Sequence, residues 1–124
     1  MYKIIDLKKF KLISINEKYC SRSFKLSPKY RAFKEFIKYS IVKPKQKIEK
    51  PYSVIILIKT YIDIDNPIKA TLDAMEEHGL IINDKKVLRL IVDKEEEKRG
   101  YPSDFQVYLG TKGKSRTITI PELN

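Results

Sequence analysis

The segment Tyr52 to Ile62 constrains the fold of this chain more than any other. It is rich in β-branched residues and apolar on both faces, unlike the one-sided alternation of a strand that borders solvent. Such a strand is stable only inside a sheet that is covered on both sides, so it is expected to be central. Where the apolar run stops the chain reads Asp63-Ile64-Asp65-Asn66-Pro67, with Lys69 and then Asp84 following. Asn66 as N-cap and Pro67 at the first helical position open a helix, and Gly79 closes it, with Ile68, Leu72 and Met75 as its core stripe.

The remaining elements assemble around that strand. Tyr2 to Ile15 alternates imperfectly and predicts one bent strand or two short ones, and Ser23 to Leu26 is a candidate for another short strand. Ser27-Pro28 starts a helix that runs to about Val42, with Tyr30, Phe33, Ile37 and Ile41 on one face. Lys43 to Pro51 reads as a mobile, lysine-rich loop bounded by prolines. Lys86 to Val92 and Phe105 to Leu109 predict two further strands, joined by the charged, turn-bearing segment Asp93 to Asp104. Thr117 to Ile120 is a candidate last strand. The order β-α-β-α-β-β predicts an α+β (mixed α/β) fold. It is a single domain over 1–124, with a mixed sheet of about four to six strands covered by two main helices.

Composition narrows the chemistry. Cys20 is the sole cysteine and His78 the sole histidine, so neither a disulfide within the chain nor a zinc site of the usual composition is available. His78 instead reads as a capping residue at a helix C-terminus, and Glu95-Glu96-Glu97 as a solvated loop. A functional metal would need oxygen ligands. No apolar run approaches a membrane span, and Met1 to Phe10 lacks a signal-peptide pattern, so a cytoplasmic protein is expected.

The net charge of +10 is lopsided. Residues 1–51 carry 15 Lys and Arg against 4 Asp and Glu, whereas residues 52–124 carry 11 against 12. A basic half beside a carboxylate-bearing half suggests a nucleic-acid grip attached to a reaction centre. Arg31, Lys34 and Lys38 form a cationic ridge away from the apolar stripe of the first helix. With Lys43, Lys45 and Lys47 of the loop, they are candidates for phosphate contacts. A solubilising lysine-rich surface is the alternative reading.

Carboxylates at the strand-to-helix junction of so basic a chain gain meaning if they hold a cation that a phosphate also touches. Side chains alternate along a strand, so Asp63 and Asp65 would point to one side, about 7 Å apart, and could converge on one hard ion such as Mg2+. Lys69 would then occupy the third helical position, where the helix dipole disfavours a cation, a placement suited to a lysine that meets phosphate charge. Asp73, four residues on, could orient it.

Asp63-Ile64-Asp65-Asn66, Lys69, Asp73-Ala74-Met75, Gly79 and Asn83-Asp84 together resemble the core pattern of the RusA family of Holliday junction resolvases. The likeness is close over Asp63 to Val87. Upstream, Asn16-x-x-Tyr19 and the helix with Tyr30-Arg31-Ala32-Phe33 are similar in kind. Asn83 departs from the pattern, standing where the family usually has the first aspartate of an acidic pair. Ile13-Ser14-Ile15 replaces a proline-rich turn.

The resemblance implies a magnesium-dependent endonuclease, with Mn2+ able to substitute, that cuts four-way DNA junctions as a homodimer. Asp63, Asp65 and Asp84 would be the metal ligands and Lys69 the catalytic lysine. Asn66, Asp73 and Asn83 would lie beside them, and Asn16, Tyr19 and Arg31 among the DNA contacts. One expectation follows from helix length: about thirteen residues of antiparallel helix carry the chain some 20 Å from Asp65. Asp84 should therefore complete the site of a two-fold partner, unless the Leu80 to Asp84 loop folds back. A nuclease acting on other branched DNA, or a non-catalytic nucleic-acid-binding module, are the alternative functions.

Overall fold

The computed structural model describes residues 1–10, 28–62 and 64–123, and of Lys29, Asp65 and Asn66 the backbone alone. Cys20, Asn16, Tyr19, the Ser23 to Leu26 segment, the Ser27 cap and Asp63 lie outside the described residues. Along the chain come β1 (Tyr2–Phe10), α1 (Pro28–Ser40), β2 (Tyr52–Thr60), α2 (Asp65–Glu77), a 3-10 turn (Asp84–Lys86), β3 (Val87–Glu96) and β4 (Ser103–Thr111). This is the expected β-α-β-α-β-β order, with four strands of the described residues in one mixed sheet.

The sheet order is β1-β4-β2-β3. β2 pairs parallel with β3 and antiparallel with β4, and β4 pairs antiparallel with β1. β2 is thus interior, as its two-sided apolar sequence requires, and seven of its nine residues are buried in an unbroken run. Tyr52, Val54, Ile56 and Ile58 cluster with Phe105, Val107 and Leu109 of β4. The helices close this layer with Tyr30, Phe33 and Ile37 of α1 and Ala70, Ala74 and Met75 of α2. Each fully buried isoleucine here contributes about 1.5–3 kcal/mol relative to exposure.

The other face of β2, with Ser53, Ile55 and Leu57, is buried too. The chain after β4 passes over it. Arg89 on β3 donates to the Ser115 carbonyl oxygen. Ile120 to Leu123 face Leu57, Asp93 and Glu95 across a shallow cavity. Thr117 to Ile120 therefore forms no strand, in contrast to the expectation: it crosses a sheet face, where no edge offers backbone partners.

Several boundaries move. α1 stops at Ser40, before Val42, because the Val42 amide is taken by the Ile4 carbonyl of β1 at 2.8 Å. β3 extends through Glu96, so Glu95 and Glu96 belong to a strand and the turn shrinks to residues 97–102. Glu97 is tied to Thr60 O through its amide (3.2 Å) and lies 3.8 Å from Lys59 Nζ, so the acidic run is not a freely solvated loop. The Lys43 to Pro51 segment is anchored rather than loose. Ile48 enters the core, Tyr2 Oη donates to Gln46 Oε1 at 2.8 Å, and Thr111 Oγ1 donates to Glu49 O at 2.9 Å.

The burial stripe of α2 is also rotated from the expected one. Ala70, Thr71, Ala74 and Met75 are fully buried, whereas Ile68 and Leu72 are only partly covered. Small residues let the helix sit close on the sheet, and Thr71 satisfies its buried hydroxyl by donating to Pro67 O at 2.6 Å.

Candidate active site

β2 ends at Thr60, where the Ser103 hydroxyl donates to Thr60 Oγ1 at 2.8 Å. The chain then turns into α2, which begins at Asp65 with Ile64 as N-cap. This corrects two expectations. Asp65 is the first helical residue and not part of a strand, so strand alternation does not relate it to Asp63. Lys69 occupies the fifth helical position, in the second turn, where the dipole penalty has largely faded. Pro67 at the third position costs no hydrogen bond, because amides of the first turn have no helical acceptor. The first helical bond is Ile68 N to Ile64 O, at 3.1 Å.

One turn further on, Lys69 Nζ lies 3.8 Å from Asp73 Oδ2, the i,i+4 neighbour on the same face. The lysine is more than half exposed, so the pair orients the ammonium more than it stabilises the helix.

α2 closes at its C-cap His78 with a Schellman arrangement. Gly79, at φ +79°, donates to Glu76 O at 3.0 Å, and the Leu80 amide donates to Met75 O at 2.9 Å. Leu80 packs beside Met75 in the core, and the Ile82 amide donates to Tyr52 Oη at 3.3 Å. The chain therefore doubles back along the helix before β3 starts opposite Tyr52. This return brings Asp84 to α2. Ile68, Lys69, Leu72, Asp73 and Asp84 line one open cavity of about 210 Å³. Asn83 stands next to it in an extended conformation, with its buried Oδ1 lacking a hydrogen-bond partner among the described residues.

The donors around this cavity are carboxylate and amide oxygens, which suit a hard divalent cation and not a soft one. Among the described residues no three His, Cys, Asp or Glu side chains converge to hold a metal. Asp73 and Asp84 supply two, and the Asp63 and Asp65 carboxylates stand outside the description. The donor chemistry fits magnesium. The return sets Asp84 on the same cavity as Ile68 and Lys69, three and four residues after Asp65, so the Leu80 to Asp84 loop folds back towards the start of α2.

The basic surface divides into two kinds. Arg31, Lys43, Lys45 and Lys47 are exposed. Lys34 and Lys38 instead reach across to α2, at 2.8 and 3.8 Å from the two oxygens of Glu77. The Lys34 hydrogen bond holds the Glu77 carboxyl below its ordinary value and raises the lysine's own. Glu77 is a residue that sequence reasoning passed over, because a contact between two helices leaves no local signature.

No helix is long and apolar enough to cross a membrane among the described residues. No curated protein matches the chain. A family model does match, that of Endodeoxyribonuclease RusA, over residues 15–102, more than two-thirds of the sequence. It runs through α1, β2, α2 and β3 and includes every residue of the cavity. This is the family that the Asp63 to Val87 pattern resembles: the chain belongs to the RusA family of endodeoxyribonucleases.

Proposed function

We propose that this protein is a Mg2+-dependent, structure-specific endonuclease that resolves four-way DNA junctions as a homodimer. One observation carries the reading: Lys69, Asp73 and Asp84 line a single cavity on α2, the helix that starts at Asp65, in a chain of this family. Asp63, Asp65 and Asp84 would hold the ion, with the Asn83 carbonyl oxygen free to orient a ligand beside it. When bound, magnesium supplies Lewis-acid activation of a phosphodiester and of the attacking water. Lys69, turned by Asp73, places its ammonium where charge builds on the phosphate oxygens. Arg31, Lys43, Lys45 and Lys47 neutralise backbone phosphates away from the cut.

Each Asp84 serves either the Asp63 and Asp65 of its own chain, reached through the folded-back loop, or those of its partner. Two such sites in one dimer match the two cuts that resolution requires. Synthetic four-way junctions with wild type and Asp65→Asn, with and without magnesium, test the function. Metal-dependent nicking that Asp65→Asn abolishes, with junction binding retained, is the expected result. Binding without nicking by the wild type would replace the nuclease with a binding module, and nicking of flaps alone would change the substrate.

A further inference from the structure

Among the described residues β3 is an edge strand of ten residues, and its outer backbone groups bond to nothing there. Proteins usually blunt so long an edge. Here two leucines stand out on it: Leu88 is 62% and Leu90 44% exposed, and Ile82, just before the turn into β3, is 58% exposed. The charges along the strand are unevenly placed. Arg89 lies near its start, with Lys85 and Lys86 in the turn before it, whereas Asp93, Glu95 and Glu96 lie towards its end, with Lys94 the one cation in that acidic second half.

We infer that the outer edge of β3 is the surface on which a second copy of this chain docks, antiparallel, with the two-fold axis at Ile91. The inference rests on the homodimeric reading above and adds to it the surface and the register. In a sheet continued across a two-fold, the axis is normal to the sheet and like faces must meet, which leaves few registers. Centring on Ile91 sets Arg89 opposite the partner's Asp93, twice by symmetry. It also sets Leu90 opposite the partner's Val92, and brings Lys86, beyond the irregularity at Leu88, towards the partner's Glu95 and the partner's Glu96.

The leucine at 88 then meets the partner's Lys94, whose methylene stem can cover it. Centring on Leu90 instead puts Arg89 opposite the partner's Ile91, centring on Arg89 puts the two Arg89 side chains face to face, and centring on Val92 puts Leu90 opposite the partner's Lys94 and Ile91 opposite the partner's Asp93. Of these registers, only that centred on Ile91 sets both opposite charges and apolar residues together within Arg89 to Asp93. It also carries the start of each β3, with Asp84 before it, towards the partner's Glu96, which pairs with Thr60 near the start of α2.

The test is a charge exchange read by analytical ultracentrifugation, with a cross-link as an independent arm. Arg89→Asp and Asp93→Arg, each alone, are expected to weaken self-association at least tenfold, and the double exchange R89D/D93R to restore it to within a few-fold of wild type. Arg89 also holds Ser115 in its own chain, so the second arm leaves it untouched. In a Cys20→Ser background, Ile91→Cys should oxidise to a disulfide dimer, because facing residues of an antiparallel pair lie within disulfide range. A monomeric wild type, an exchange that fails to restore association, or an Ile91→Cys protein that does not cross-link would overturn the interface. A monomer that still nicks junctions would remove this dimer and leave the nuclease standing. A β3-paired dimer without magnesium-dependent nicking would do the reverse.

Discussion

Gly79 is the hinge on which the position of Asp84 depends, and its contribution can be isolated. Its φ of +79° lies in the left-handed region, yet a Cβ built there meets nothing within 4 Å. Gly79→Ala therefore costs backbone strain alone, roughly 1–2 kcal/mol. About 0.4–1 kcal/mol of this is offset by the smaller entropy of the unfolded alanine chain. The net loss is about 1 kcal/mol. With a urea m-value of about 1.5 kcal/mol/M for a domain of this size, the midpoint falls by some 0.7 M.

Gly113 is the control. A Cβ there also meets nothing within 4 Å, and its φ is not positive. Gly113→Ala should leave the midpoint unchanged or raise it by a few tenths of a molar. Paired urea melts followed by circular dichroism, at constant m-value, decide the matter. If both substitutions lower the midpoint equally, or if Gly79→Ala is neutral, the left-handed cap does not direct the chain back along α2.

Four further outcomes follow from the structure. Mixing Asp65→Asn with Asp84→Asn should restore junction nicking to about a quarter of wild type if Asp84 serves the partner, since half the dimers are mixed and each keeps one intact site; no recovery places all ligands in one chain. Replacing Lys43, Lys45 and Lys47 with Ala should flatten the salt dependence of junction binding by up to about three in log–log slope, whereas Lys34→Ala, whose ammonium is held by Glu77, should leave it unchanged. Because the Glu77 carboxyl is held down by Lys34, its contribution is complete above the unfolded value of 4.5 and fades as the pH falls below it. The difference between wild type and Glu77→Gln, about 0.2–1 kcal/mol at pH 7 for so exposed a pair, should thus shrink steadily in thermal melts as the pH is lowered below 4.5. Ile56→Ala, in the core of β2, should cost about 2–5 kcal/mol by urea melts.

What could be read from the sequence was what is local. The interior position of β2 is written in its two apolar faces, and the Lys69–Asp73 pair in its four-residue spacing. The start of α2 was misplaced because Asn66-Pro67 has the composition of a cap, whereas the helix tolerates proline as its third residue and begins from Ile64 without a side-chain cap bond. Sheet order was not legible. β4 carries a polar Gln106 that is nonetheless buried, with Nε2 donating to Asp6 Oδ1 at 3.2 Å, so its interior place depends on a partner 100 residues away. Asp84 joins Lys69 only through the return after Gly79, which no short motif encodes.

The seat of β4 between β1 and β2 has a consequence for how the protein is made. Among the described strands the keystone of the sheet is the last to be synthesised, and until it arrives β1 has no neighbour among them while β2 lacks one flank. A polypeptide cut at the end of the family match, residue 102, would carry every residue of the cavity and still lack the strand that joins the two halves of its own scaffold. Nuclease chemistry in this molecule therefore waits on a segment that touches none of the reacting groups.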